Sequence, residues 1–295
     1  MNHIARYADF LRTFLKIKAP VSVVLDVSNG PTGMVLEELF RSIQGVETVI
    51  LNGDLSGDFP GHGPNPLVAG ATDEASRKVV KESADMGAVY DGDGDRVLFI
   101  DDKGEAIDPF NSFFLIKDQF RPPYIVEVRA LSGFVFPDPE IIEVAAGRSY
   151  IHKALQKENA ELGVERSGHF FFKDFFYQDS AILATIHMIN AVSALKEGGK
   201  KVHEALSGLS GLEHPPEANF EINDREGVLR RLDKYYGEGK TYRIEKIDGI
   251  TVVGPDFAFN VRASNTEPLV RLNIAAKNRK ILDEKLTEIK KVMGI

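Results

Sequence analysis

The side chains best suited to chemistry are three aspartates in a short segment that also contains two glycines. Asp91, Asp93 and Asp95 alternate with Gly92 and Gly94 between the apolar runs GAVY and VLFI. Carboxylates at i, i+2 and i+4 in a loop that glycines allow to curl can converge on one hard divalent cation. A cation would relieve their mutual repulsion, which a solvated acidic turn would leave uncompensated. The spacing therefore predicts a metal loop, with a solvated turn as the alternative.

A calcium-binding EF-hand is a competing interpretation of the same aspartates. Counted from Asp91, Asp102 is at the twelfth position, where an EF-hand has its bidentate ligand. The sixth position is Arg96 instead of the glycine that the sharp turn needs, and the flanking runs are typical of strands, not helices. A Mg²⁺ site with an open face toward a phosphate fits better, because Mg²⁺ takes few protein oxygens and shares its shell with phosphates.

A second concentration of polar side chains lies near the C-terminus, in the segment RASNTEP at 262–268. Hydroxyls and backbone N–H groups can surround phosphate oxygens, and an arginine adds charge with fork geometry. The alternative is a plain turn, because Ser, Asn and Thr are common turn formers. The candidate phosphate-binding residues are Arg262, Ser264, Asn265, Thr266 and Arg271.

A third candidate is the segment ERSGH, which precedes a run of three phenylalanines. Glu165 and Ser167 on a tight turn could bind vicinal sugar hydroxyls, and His169 could transfer protons. Taken alone, this pattern is also typical of a surface turn with a satisfied histidine.

Strand and helix patterns that alternate along the chain must position these loops. An amphipathic helix opens the chain at Ile4 to Leu15, and the β-branched run at 21–27 predicts a strand followed by a helix at 34–40. Another such set begins near Pro109, with a strand at 124–128 and a long helix at about 179–196. This alternation predicts mostly parallel sheets with helices on both faces.

The last part of the chain has a different pattern. Gly, Ser and Pro concentrate around EGGKK and SGLSGLEHPPE, which predicts a linker. Asp248-Gly249 between alternating runs predicts a hairpin, and an amphipathic helix closes the chain. The fold class is therefore α/β, with two α/β/α mixed-sheet domains at 1–106 and 107–208 followed by a small α+β domain at 209–295.

Composition narrows the functional classes. The formal net charge is −8, with 36 basic and 44 acidic residues, and the basic residues are scattered, which argues against a nucleic-acid partner. No segment has the length and apolarity of a membrane span or a signal peptide. The absence of cysteine excludes disulfides and thiolate sites. It fits a reducing compartment and equally allows others, so the cytoplasm is the default expectation.

Taken in order, DGDGDR, ERSGH and RASNTEP resemble the α-D-phosphohexomutase family of phosphomannomutases and phosphoglucomutases. Supporting stretches are VVLDVSNG and FPGHGPNP, so that the similarity covers nearly the whole chain. Members of that family have four domains, and the three segments correspond to its second, third and fourth. The resemblance implies transfer of a phosphoryl group between the 1- and 6-positions of a hexose phosphate through a phosphoserine.

The resemblance also implies roles for individual residues. Asp91, Asp93 and Asp95 would hold Mg²⁺. Arg96 would lie beside the reacting phosphate, and His169 stays the candidate for proton transfer. The implied sugar-binding residues are Glu165 and Ser167, and the implied phosphate-binding residues are Arg262, Ser264, Asn265 and Thr266. Arg129 and Arg148 are further substrate-binding candidates, and Arg271 is a further phosphate-binding candidate.

The family serine lies in a Ser-His-Asn-Pro type loop of the first domain, and no serine here precedes a histidine. We therefore expect about one domain's length to be missing from the front. The third domain departs from the family pattern at its Thr-x-Val-Gly-His type turn, which is Val144 to Ser149 here, and at the paired aspartates, which are reduced to Asp179-Ser180. Arg129 stands where the family often has lysine.

Two functional hypotheses follow from this pattern. In the first, the chain is a phosphohexomutase, active on glucose or mannose phosphates with Mg²⁺, whose serine domain is supplied from elsewhere. In the second, it binds a phosphosugar or a partner protein without catalysis. A structural remnant that does neither is the third alternative.

Overall fold

The computed structural model describes residues 3–135, 137–207, 211–239, 241–264 and 267–295. The chain divides into two compact units. The first unit is Met1–Arg121 with Asn159–Leu209, and the second is Pro122–Glu158 with Ser210–Ile295. The domain boundaries at 106/107 and 208/209 stay a prediction.

The helices of the described residues alternate with strands over much of the chain. They are α1 His3–Arg12, α2 Thr32–Phe40, α3 Asp73–Glu82, α4 Pro109–Ile116, α5 Ser132–Val135, α6 Arg148–Glu158, α7 Ala181–Glu197, α8 Val202–Ser207, α9 Arg225–Gly237 and α10 Arg279–Met293. Short 3₁₀ turns lie at Lys117–Gln119, Val128–Ala130 and Lys173–Phe175.

The strands are mostly short, and the two longest lie in the C-terminal sheet. They are β1 Val21–Asp26, β2 Val46–Leu51, β3 Met86–Tyr90, β4 Val97–Ile100, β5 Ala106–Ile107, β6 Tyr124–Glu127, β7 Ile141–Val144, β8 Leu162–Val164, β9 Phe170–Phe172, β10 Gln178–Asp179, β11 Ala218–Glu221, β12 Arg243–Glu245, β13 Ile250–Val253, β14 Phe257–Ala263 and β15 Leu269–Ala276.

The N-terminal sheet of the first unit has the order β2-β1-β3-β4-β5. Strands β1, β2 and β3 are parallel, whereas β4 and β5 add antiparallel edges. Helix α3 packs on one face through Val79 against Val24 and Val89. Tyr90, on the opposite face of β3, reaches Thr185 of α7 at 2.6 Å between hydroxyl oxygens. Strands β1, β3 and β4 are buried along almost their whole length, as expected of a sheet that is covered on both faces.

A second group of strands in the first unit is antiparallel. Strand β8 pairs with β9, and β9 pairs with β10. The three phenylalanines of β9 are all buried. Helix α7 begins at the Ser180 cap, whose hydroxyl accepts a hydrogen bond from the Leu183 N–H. This cap places Asp179 and Ser180 at the junction of strand and helix.

The second unit contains the parallel pair β6 and β7 and an antiparallel sheet of order β11-β15-β14-β13-β12. Helices α9 and α10 cover that sheet through a core that includes Tyr236, Phe259 and Leu282. The predicted hairpin at Asp248-Gly249 is confirmed, because β12 and β13 pair in antiparallel register and Gly249 has φ of +71°.

The predicted α/β fold class, with mixed sheets and a C-terminal α+β layer, is confirmed. The prediction of mostly parallel sheets is wrong, because β3 pairs with β4, β4 with β5, β8 with β9 and β9 with β10 in antiparallel register. The predicted linker is not wholly irregular, because α8 lies within it. In the described part of the chain, no helix is both long and apolar enough to cross a bilayer.

Candidate active site

The three aspartates lie in the turn of the β3–β4 hairpin. Asp91 is buried, and its Oδ1 accepts hydrogen bonds from the N–H groups of Gly94, Asp95 and Arg96 at 2.9, 3.0 and 3.0 Å. Its Oδ2 accepts a hydrogen bond from Arg96 Nε at 2.6 Å. The Asp91 carboxylate thus shapes the loop in addition to any role as a metal ligand.

The glycines of this loop are required by close packing. A Cβ on Gly94 would lie 2.0 Å from Thr32 Oγ1, and Gly94 has φ of +77°. A Cβ on Gly92 would lie 2.8 Å from both Phe59 and Pro64 side chains. Contacts this short allow only glycine, so the loop is held tightly between the first βα turn and the segment around 59–64.

The donor set of this loop fits a hard divalent cation. One carboxylate oxygen from each of Asp91, Asp93 and Asp95 can be chosen so that all three lie within 4.8 Å of one another. Asp91 is buried and Asp93 is exposed, so one side of the group faces solvent. An all-oxygen set with an open side is the kind of site that Mg²⁺ shares with phosphate oxygens.

The EF-hand alternative gains no support from the structure. The loop lies between two strands, and the Asp102 side chain faces His203, with Oδ2 2.8 Å from Nδ1. Asp102 is therefore occupied by a histidine partner.

The segment ERSGH forms the turn of the β8–β9 hairpin. Glu165 is buried, and its Oε2 lies 3.0 Å from His169 Nδ1. The Ser167 hydroxyl lies 2.7 Å from the same nitrogen and donates to Glu165 Oε2 at 3.3 Å. The three side chains that the sequence singled out therefore form one hydrogen-bonded cluster.

The two hairpin turns meet within the first unit. Arg96 and His169 form an antiparallel bridge, and the Val97 N–H donates to Gly168 O at 3.1 Å. His169 Nε2 lies 3.4 Å from Asp95 Oδ1 and 4.0 Å from Asp179 Oδ2. Motifs that are more than 60 residues apart in sequence thus place carboxylates and an imidazole together.

Arginines dominate a separate cluster in the second unit. Arg262 of β14 and Arg271 of β15 are direct cross-strand partners. Within the described residues, the Nε atoms of both are buried and have no hydrogen-bond partner. Arg129, in the turn after β6, lies with its guanidinium 3.3 Å from Glu217, which also approaches the other two arginines.

Arg129 is fixed by a second carboxylate. Its Nη2 donates to Glu127 Oε2 at 2.8 Å, and its Nε contacts the other oxygen of the same group. Burial disfavours the charged guanidinium, but the hydrogen bond and charge of Glu127 outweigh burial and raise the pKa of Arg129. The side chain therefore remains cationic.

The remaining phosphate and substrate candidates have different positions. Ser264 is buried at the end of β14, and its N–H donates to Leu269 O at 2.8 Å. Arg148 is the exposed first residue of α6. Asn265 and Thr266 lie outside the described residues.

Sequence reasoning missed several residues that support these sites. Glu217 follows two prolines, a context that gives no local signal of an arginine partner. The sequence pattern assigns no role to His62, yet its Nε2 lies 3.2 Å from Oδ1 of the fully buried Asp26 at the end of β1. The hydrogen bond to Asp26 raises the pKa of His62, although burial opposes the shift.

Comparison with known proteins gives this arrangement its context. Family profiles described as phosphoglucomutase/phosphomannomutase match three successive parts of the chain: alpha/beta/alpha domain II matches 3–104, alpha/beta/alpha domain III matches 138–210 and the C-terminal domain matches 217–292. The chain belongs to the α-D-phosphohexomutase family.

Individual relatives agree with this assignment. A phosphomannomutase of Methanocaldococcus jannaschii is 30% identical over 100% of this chain and 66% of its own length. A phosphomannomutase of Escherichia coli K12 is 27% identical, over 92% of this chain and 62% of its own length. The chain thus spans about two thirds of the length of these relatives.

Solved structures show the same fold. A phosphoglucomutase/phosphomannomutase family protein of Burkholderia thailandensis superposes with a TM-score of 0.84 at 25% identity, covering 99% of this chain and 64% of the other. An N-acetylphosphoglucosamine mutase of Aspergillus fumigatus, solved with GlcNAc-6P and magnesium, has a TM-score of 0.61 at 17% identity, over 98% of this chain and 68% of its own.

Proposed function

We propose that this chain carries the metal-binding, sugar-binding and phosphate-binding parts of a phosphohexomutase, and that a serine domain supplied from elsewhere completes the reaction. The reaction would transfer a phosphoryl group between the 1- and 6-positions of a glucose or mannose phosphate. The observation that carries the proposal is the meeting of the Asp91–Asp95 loop with the Glu165–His169 loop, where His169 Nε2 lies 3.4 Å from Asp95 Oδ1.

Residues of the first unit would act on the reacting group. Asp91, Asp93 and Asp95 would hold Mg²⁺, which would supply positive charge to the phosphoryl oxygens. Arg96, anchored on Asp91 at 2.6 Å, would add a guanidinium beside the transferred phosphate.

Glu165 and His169 would control the sugar hydroxyl that gives or receives the phosphoryl group. With Nδ1 of His169 held 3.0 Å from Glu165, the ring is oriented and Nε2 is the atom positioned to exchange a proton with a hydroxyl. Ser167 would bind a neighbouring hydroxyl of the sugar.

Residues of the second unit would bind the phosphate that is not transferred. Arg262 is only 12% exposed and lies directly opposite Arg271, so that two guanidinium groups can be offered to one phosphate. Ser264, Asn265 and Thr266 would add hydroxyl and amide groups, while Arg129 and Arg148 would complete substrate binding.

The decisive experiment combines the chain with the separately expressed serine domain of a relative. Glucose or mannose 1-phosphate, Mg²⁺ and a bisphosphate primer are added, and 6-phosphate is followed by ³¹P NMR. We expect product only when both polypeptides are present. His169→Gln should abolish it, whereas His3→Gln, at an exposed position on α1, should not. No product from the complete mixture would overturn the catalytic proposal.

Metal binding can be measured on the chain alone. Mg²⁺ that binds only the folded state stabilises it by about 1.4 kcal/mol at ten times its Kd, which raises the melting temperature. Asp93→Asn should remove this rise, and Asp118→Asn, at a highly exposed side chain, should preserve it. A rise that survives Asp93→Asn would place the ion elsewhere.

A second function is phosphosugar binding without catalysis. It is favoured by one observation, that the turn at Val144 to Ser149 departs from the family's Thr-x-Val-Gly-His pattern. Calorimetry with hexose phosphates distinguishes this function from that of a chain that neither binds phosphosugars nor catalyses their reaction. Binding that is lost in Arg262→Ala and retained in Arg279→Ala, together with an inactive mixture, would support it.

A further inference from the structure

Two arginines, Arg262 and Arg271, face each other across the β14–β15 pair. Arg262 and Arg271 are register partners, and like charges directly opposite on a sheet destabilise it. Their side chains are only 12% and 27% exposed, so water screens their repulsion incompletely. The pair therefore needs a nearby anion.

Glu217 supplies that anion in the ligand-free chain. Its carboxylate lies 3.9 Å from an Arg262 nitrogen, 3.7 Å from an Arg271 nitrogen and 3.3 Å from Arg129 Nη1. The first two distances are beyond hydrogen-bonding length, so the carboxylate is shared loosely. Glu217 itself is 16% exposed.

The other acidic partners do not replace Glu217. Glu127 binds Arg129, Asp248 lies 3.9 Å from Arg262, and the half-exposed Glu267 contacts Arg271 at 3.1 Å. Among the described residues, Glu217 is the carboxylate that approaches all three arginines. An incoming phosphate monoester would meet the same guanidinium groups and would be repelled by this carboxylate.

We propose that Glu217 is a built-in counter-anion of the arginine cluster, which stabilises the empty site and is displaced by the phosphate of the ligand. This inference rests on the proposed function, because it takes Arg262 as a phosphate-binding residue. Glu217 thus stabilises the arginine cluster when no phosphate is bound and lowers its affinity for phosphate. It is a positioning residue that does not take part in phosphoryl transfer.

The test uses inorganic phosphate as the probe and the whole chain as the protein. Glu217→Gln should lower the Kd for phosphate on the order of tenfold, because one negative charge near the anion is removed. It should also lower the melting temperature without phosphate by roughly 2 to 4 °C, and phosphate should restore it. Glu221→Gln removes one negative charge from an exposed residue of β11 and is the matched control. It should change neither the Kd for phosphate nor the melting temperature.

Each outcome has a distinct meaning. If Glu217→Gln binds phosphate no more tightly than the unsubstituted chain, while Glu221→Gln behaves as the unsubstituted chain, Glu217 is not a counter-anion. Glu217→Asp keeps the negative charge and should bind phosphate as the unsubstituted chain does. A Kd for phosphate in Glu217→Asp as low as that expected for Glu217→Gln would also contradict the proposal. If Arg262→Ala binds phosphate as well as the unsubstituted chain, the phosphate site itself is wrong, and the proposed function loses its basis in the second unit.

Discussion

The junction between the two hairpin turns depends on Gly168, and Gly168→Ala tests it. Gly168 has φ of +90°, and a Cβ there would lie 2.8 Å from Val97 O. That oxygen belongs to the backbone, so it cannot rotate away as a flexible side chain would. The substitution must move one hairpin away from the other.

The cost can be worked from two separate contributions. A positive φ costs an alanine about 1 kcal/mol or somewhat more relative to glycine. Moving the strands apart also weakens the hydrogen bond from Val97 N–H to Gly168 O, which adds about 1 kcal/mol, and the overlap itself adds a further amount of similar size. We expect a total loss of about 3 kcal/mol in the free energy of unfolding.

Gly199→Ala is the matched control for the backbone contribution. Gly199 has φ of +72°, and nothing lies within 4 Å of a Cβ built there. Urea unfolding monitored by circular dichroism should give a loss of about 1 kcal/mol for this variant. Equal losses in the two variants would refute the close approach of the hairpins at Gly168.

Three further predictions concern buried polar groups. Tyr90→Phe should cost about 1 kcal/mol of unfolding free energy, because it removes the 2.6 Å hydrogen bond to Thr185; a neutral result would contradict that bond. His62→Gln should lower the free energy of unfolding more at pH 6 than at pH 9. Asp26 raises the pKa of His62 in the folded chain. The stabilisation that His62 provides is therefore complete below its pKa in the unfolded chain, about 6.5, and is lost as pH rises through the folded pKa. The pH dependence of stability has the opposite sign for His187, because burial lowers its pKa in the folded chain to about 3. Below about pH 6.5 the unfolded chain takes up a proton that the folded chain does not, so His187→Phe should flatten the loss of stability between pH 6 and 4. Equal slopes for that variant and the unsubstituted chain would count against a buried neutral imidazole.

The elements with strong local patterns were predictable from sequence. Strand β1 appears where the continuous β-branched run predicts it, and α10 appears where amphipathic, period-3.6 spacing predicts it. The β12–β13 hairpin follows from Asp248-Gly249, because glycine adopts the positive φ that the turn requires. Local chemistry was sufficient in these cases.

Features that depend on distant residues were not predictable in the same way. Helix α8 lies in a segment that Gly198 and Gly199 make look irregular, and it is anchored by the His203 N–H, which donates to Asp102 Oδ1 at 3.0 Å. The partners are 101 residues apart, so no window of sequence contains the contact. The arginine contacts of Glu217 likewise arise from the pairing of β11 with β15.

The candidate site falls between these two cases. The residue types of the Asp91–Asp95 and Glu165–His169 loops predict chemistry, and the resemblance assigns their roles. The bridge between Arg96 and His169 came only from the fold, because it depends on how two hairpins approach each other. The roles of all the site residues, including those of Asn265 and Thr266, stay predictions.

The Asp91 carboxylate also determines how a cation can enter the loop. Its Oδ1 already accepts three N–H groups, so the turn has its shape before any ion arrives. Little chain entropy remains to be lost on binding, and the amides of Gly94, Asp95 and Arg96 should exchange slowly with solvent deuterium even in a chelator. The cation proposed for this loop would therefore meet a preformed turn, and its binding would change the charge of the loop more than its conformation.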